Sequence, residues 1–314
     1  MTSRSAEFMA NLTFGNKSVI QLCIICYAYQ VIFDPPLIHY TMCPRNILYL
    51  QEWYRILTSS FFHGGLMHIA MNLMATVSLG SLLERRFGTF RFVFTILWSV
   101  LLTGIIYIGV AWIVSTLFHN DQLMYQNSVG FSGIVFHLVV LEANLRQNRN
   151  SSRDIFGFLR VPVKAYPWVL LVVLQFFMPN ISFMGHLSGI LVGTLQYHGN
   201  LDCLLPSYEF QREMETWESL AIIIRRKGFI PTPTDSEISS FICEETRQNS
   251  ILTSILDLIK LVIKFLKDIL VTIKVSIFGH GPILDPNLFS RSDQQEEEWE
   301  VQQVSQSEPT HTWV

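Results

Sequence analysis

Gly130-Phe131-Ser132-Gly133 sets a hydroxyl between glycines, which lets another backbone approach closely and leaves room for a carbonyl beside the oxygen. In a membrane helix the same tetrapeptide also serves as a packing device, so alone it leaves catalysis and packing both open. Gly185-His186-Leu187-Ser188-Gly189, continued to Gly193, places His186, Gly189 and Gly193 at i, i+3 and i+7 on one helical face. An imidazole in apolar surroundings needs a hydrogen bond, and its titration range suits it to act as general base toward a serine. Its plainer role is a histidine satisfied by a neighbouring carbonyl. In the run from His63 to Asn72, His68 and Asn72 stand one turn apart on the same face. Both side chains donate hydrogen bonds, as a tetrahedral oxyanion beside a nucleophile requires. His63 precedes that helix, where it could tether the loop or hold water. The apolar segments contain neither an HExxH metal motif nor a pair of aspartates, so a serine route is the one equipped and no cofactor is expected.

The elements that must position these residues are membrane helices. Of 314 residues, 50% are hydrophobic and 15% charged, too apolar a mixture for an ordinary soluble domain. The formal net charge of -3 offers nothing to a polyanion, so a nucleic-acid partner is not expected. The five cysteines show neither a disulfide framework nor paired metal-ligand spacing and read as small apolar side chains. A bilayer core needs about 20 apolar residues in a helix, and six stretches approach that, near 18–34, 64–83, 92–117, 128–143, 164–179 and 182–198. The last three are short and carry polar groups, which suits helices shielded inside a bundle.

Basic residues set the orientation. Arg4 and Lys17 precede the first span, Arg85, Arg86 and Arg91 join the second to the third, and Arg146, Arg149, Arg153, Arg160 and Lys164 join the fourth to the fifth. These regions are predicted to be cytosolic, as are both termini. Residues 1–17 form the first cytosolic segment, 18–198 the six-span core and 199–250 a cytosolic linker. Residues 251–278 gather Asp257, Lys260, Lys264, Lys267, Asp268 and Lys274 on one helical stripe. They are predicted to form an amphipathic helix on the membrane surface, the rivals being a seventh span and a helix packed on a protein partner. Residues 279–314 read as a disordered acidic tail open to cytosolic partners, and its terminal Thr312-Trp313-Val314 fits capture of a carboxylate terminus. The turn at Asn180-Ile181-Ser182 matches a glycosylation sequon but hugs the bilayer, so it is expected to stay unmodified.

Taken together, the HxxxxHxxxN pattern starting at His63, the GxSG around Ser132 and the GHxxG around His186 resemble the rhomboid family of intramembrane proteases. Glu52-Trp53-Tyr54-Arg55 looks like that family's tryptophan–arginine element, and Gly80 through Glu84-Arg85-Arg86-Phe87-Gly88 supports the likeness, which covers residues 18–198. The resemblance implies an all-α, six-span membrane bundle in the endoplasmic reticulum that cuts transmembrane protein substrates within the lipid bilayer. It implies a Ser132–His186 dyad, an oxyanion site from His68, Asn72 and the Ser132 backbone N–H, and a Phe136 ring stacked on His186. Supporting places fall to His63, Gly130, Gly133 and Gly189, and the fifth span becomes a lateral gate. A catalytically silent rhomboid-fold protein that escorts membrane clients is the main rival, and a transporter or channel a more distant one.

Overall fold

The apolar runs become six helices of twelve or more residues in a computed structural model that describes residues 12–145, 151–155, 157, 159–178 and 180–241. These are α1 (Phe14–Phe33), α2 (Leu66–Phe87), α3 (Thr89–Phe118), α4 (Ser132–Ala143), α5 (Tyr166–Phe177) and α6 (Phe183–Tyr197). Among the described residues, α1, α2 and α3 are the helices long and apolar enough to cross a membrane by themselves. At 12 residues, α4 and α5 reach about 18 Å, short of a hydrocarbon core of about 30 Å. The burial of α4 explains how so short an apolar helix is accommodated, since every residue from Ile134 to Ala143 except Val135 is sequestered from the surface. The outer helices instead expose apolar side chains, among them Ile25, Val31, Ile32, Met67, Met74, Leu97, Ile105 and Phe176. Such surface is tolerated in lipid and not in water, and this is a multi-pass membrane protein.

The most tightly packed helix pair is α4 with α6, which carry Ser132 and His186. A Cβ on Gly189 of α6 would overlap the carbonyl oxygen of Gly133 in α4, and a Cβ on Gly193 would lie 2.7 Å from Cβ of Val140. Two glycines thus let α6 sit directly on the α4 backbone, the contact geometry that small residues permit in membranes. Three clusters of apolar residues fill the remainder, with Phe92, Phe131 and Leu138 in one, Ile47 and Tyr107 in a second, and Leu171 and Ile190 in a third.

Two features depart from the sequence expectation. An antiparallel hairpin, β1 (Ser152–Ile155) with β2 (Leu159–Pro162), joins α4 to α5, so the fold is not wholly α. Gly157 turns the chain at φ +77°, and β1 alternates exposed and inward side chains as a half-buried strand must. The expected linker after Asn200 also has defined structure up to residue 241, folding as short helices and a strap against the core. Its carbonyls cap helix ends whose first N–H groups have no partner within the helix. Gly228 O accepts from Phe14 N at 2.8 Å and Ile230 O from Thr89 N at 2.8 Å. Arg91 adds an ion pair to Asp202 at 3.2 Å and lies over the Tyr208 ring. The predicted amphipathic helix at 251–278 and the tail at 279–314 lie outside the described residues.

Candidate active site

Ser132 opens α4, because Gly130 turns the chain into it at φ +122°, a backbone region open to glycine and strained for other residues. The long connection between α1 and α2 holds that turn in place. Gly130 N donates to Ser59 O at 2.7 Å, and Met42 pairs with Ser128 as an antiparallel bridge. The connection is itself pinned by Arg55, which is 2% exposed and donates to Ile38 O, Thr41 O and the Glu52 carboxylate. The Trp53-Tyr54-Arg55 element therefore reaches Ser132 through the loop scaffold, without touching it.

His186 lies in the first turn of α6, whose entry is fixed by Ser182: its hydroxyl accepts from Gly185 N at 3.1 Å. This N-cap occupies the sequon's serine, and it orients the first turn at a cost to lose of about 1 kcal/mol. With α6 seated on α4 through Gly189, His186 Nε2 comes 2.8 Å from Ser132 Oγ. Phe136, one turn along α4, stacks on the imidazole with ring centroids 4.5 Å apart at 27°. Among the described residues His186 Nδ1 is buried without a hydrogen-bond partner, so no carboxylate orients this ring. Stacking and burial do so instead.

His68 and Asn72 face the same place from α2. A Cβ on Gly130 would fall 2.5 Å from His68 Cε1 and 3.6 Å from Asn72 Nδ2, so only a bare glycine backbone admits the two side chains here. Asn72 Nδ2 is buried and has no acceptor among the described residues, a donor held ready. His63 plays a different part. Its Nδ1 is 3.1 Å from Phe61 O, its Nε2 is 3.5 Å from Phe131 N, and its backbone exchanges two hydrogen bonds with the Gln30 side chain. It ties α1 to the loop ahead of Ser132. Gln30 was not visible as a site residue in the sequence, for a lone glutamine in a span carries no motif.

These groups open on a cavity of about 300 Å³ lined by His68, Asn72, Ser132, Phe136 and His186, with Tyr166, Leu170 and Leu174 of α5 on its far wall. The helices α2 and α5 flank it and scarcely touch each other. A second buried network lies deeper, where His137 reaches Ser99 Oγ at 2.7 Å and Gln196 Oε1 at 2.8 Å, joining α3, α4 and α6. Sequence reasoning missed it, since a single histidine in an apolar run signals nothing by its spacing.

Residues 50–198 match the rhomboid domain, which encloses both members of the Ser132–His186 pair, and the chain is a rhomboid-family protein. It is 33% identical over 254 residues to Rhomboid-like protein 15 of Arabidopsis thaliana, covering 79% of this chain and 62% of that protein. It is 34% identical over 172 residues to Rhomboid-related protein 4 of Mus musculus, covering 55% and 54% of the two chains. Rhomboid-type serine protease B of Aspergillus fumigatus is 24% identical over 215 residues, covering 68% and 76%. The chain thus spans between half and two thirds of the length of the first two relatives.

Proposed function

We propose that this protein is an intramembrane serine endopeptidase that cleaves transmembrane segments by a Ser132–His186 dyad. The observation that carries the reading is the 2.8 Å contact between Ser132 Oγ and His186 Nε2 at the wall of a cavity flanked by two helices that scarcely touch. In the first step His186 takes the Ser132 proton on Nε2 while Oγ bonds to the scissile carbonyl carbon. The oxyanion so formed is met by Asn72, His68 and the first backbone N–H groups of α4, whose positive helix end favours the developing charge. The imidazolium then returns its proton to the leaving amine. The acyl-enzyme is cleared by water, with His186 again as base and then acid.

All six helices belong to the spanning bundle in this reading, the short ones seated inside it. Both termini are cytosolic on the distribution of basic residues. Placement in the endoplasmic reticulum and a part in membrane-protein quality control follow from the sequence resemblance. A silent client-binding protein would have no use for a serine hydroxyl and an imidazole nitrogen at hydrogen-bond distance. The test is cleavage of a transmembrane reporter with a helix-weakening sequence by the purified protein in detergent. Ser132→Ala and His186→Ala are each expected to abolish cleavage. Cleavage undiminished in either variant removes the dyad assignment, and a folded wild-type protein that cuts nothing and takes up no serine-directed covalent reagent favours the silent reading.

A further inference from the structure

The cavity that holds the dyad runs along α4 away from Ser132 and reaches Arg153, the one lysine, arginine or carboxylate side chain that lines it among the described residues. Arg153 arrives there because β1 alternates, with Ser152 and Asp154 turned to the outside while Arg153 and Ile155 point inward. Its guanidinium pairs with Glu142 near the end of α4 and stands 5.4 Å from the centre of the Tyr166 ring. The Glu142 side chain is only 2% exposed and is not part of the cavity wall. The cavity therefore presents the cation and hides its counter-ion. A guanidinium carries five N–H donors in a rigid fork and can hold one carboxylate while it receives another.

The position of this charge is fixed relative to the chemistry. Glu142 follows Ser132 by ten residues within one unbroken helix, so about 15 Å separate the arginine's anchor from the nucleophile. Apolar walls bind a sliding apolar segment in many registers with similar affinity, whereas one charge at a set distance from the nucleophile selects among them. We propose that Arg153 determines specificity by binding an acidic side chain of the substrate at a set distance from the bond that is cut. The assignment rests on the protease reading above. A segment running from Ser132 along α4 covers that distance in about ten residues if helical and in about four or five if extended.

The test walks a single Glu through positions about three to twelve residues from the cleaved bond of a transmembrane reporter, on the side that lies toward Glu142. Each Glu reporter is compared with its Gln counterpart, using the full-length protein in detergent. The readout is the Glu-to-Gln ratio of kcat/KM, which is independent of how much of any preparation is folded. The expected ratio is about ten at one or two positions and about one elsewhere, falling in high salt. In the double variant Arg153→Gln with Glu142→Gln, which leaves neither charge alone, the peak is expected to vanish. Arg153→Lys is expected to keep part of it. A flat ratio at all positions, or a peak that survives in the double variant, overturns this assignment while leaving the protease reading intact. Failure of the wild-type protein to cut any reporter overturns both.

Discussion

At the scale of single residues, the site divides into groups that would change charge and groups that wait for it. Asn72 holds a buried amide donor with no acceptor among the described residues, an arrangement that costs stability unless something else uses it. Its use in this reading is the oxyanion, and Asn72→Ala is expected to lower kcat by about 100-fold with little change in KM. Steady-state kinetics on the reporter checks this, and a change confined to KM would assign the amide to substrate binding instead. Phe136 covers the face of the imidazole, whose Nδ1 edge meets no carboxylate among the described residues. Phe136→Leu keeps an apolar side chain of somewhat smaller volume and removes the stack, and is expected to lower kcat by about tenfold while the protein still unfolds cooperatively.

At the scale of elements, the α4–α6 contact decides whether Ser132 and His186 meet. Since a Cβ at Gly189 would overlap the Gly133 carbonyl, Gly189→Ala must push the helices apart or rotate one of them. The expected outcome is loss of about 1–3 kcal/mol in unfolding free energy together with loss of reporter cleavage and of serine labelling. Retention of both would mean that the pair tolerates a wider spacing. The connection between α1 and α2 makes a second contribution, through Arg55 and Glu52. The hydrogen bond from Arg55 holds the Glu52 carboxyl below the usual carboxylate range. A depressed folded pKa stabilises above the unfolded value of about 4.3, and that contribution is lost as pH falls through the lower folded value. The difference in thermal midpoint between the wild type and Glu52→Gln is therefore expected to narrow as pH is lowered through the acid range.

At the scale of the whole molecule, the helix ends converge on one buried carboxylate. Glu84, fully buried in the last turn of α2, accepts from Gly15 N at 2.8 Å, Asn16 N at 2.7 Å and Thr89 Oγ1 at 2.7 Å. It caps α1, which has no capping side chain of its own, and joins it to the start of α3. Thr89 passes the link on, its N–H and hydroxyl meeting the backbone of Ile230 in the strap. Glu84→Ala leaves these donors without their acceptor and is expected to destabilise by roughly 3 kcal/mol, read as a lowered unfolding midpoint in detergent. Glu84→Gln, which keeps an oxygen acceptor, is expected to lose less.

The sequence by itself determined the six helical runs, the short lengths of the last three, and the faces on which His68 and Asn72 or His186 and Gly189 lie. All of these follow from a period of 3.6 residues and from the bilayer's thickness, and both are local. It could not determine that Ser132 and His186, 54 residues apart, meet at 2.8 Å, because that depends on the rotation and register of α6 on α4. Nor could it show Glu84 as a cap, Gln30 as a tether, Arg153 as a cavity residue or residues 199–241 as a packed strap. Each is a polar group whose partner is distant in sequence, and the need of a buried donor or acceptor for a partner is visible only once the helices have docked.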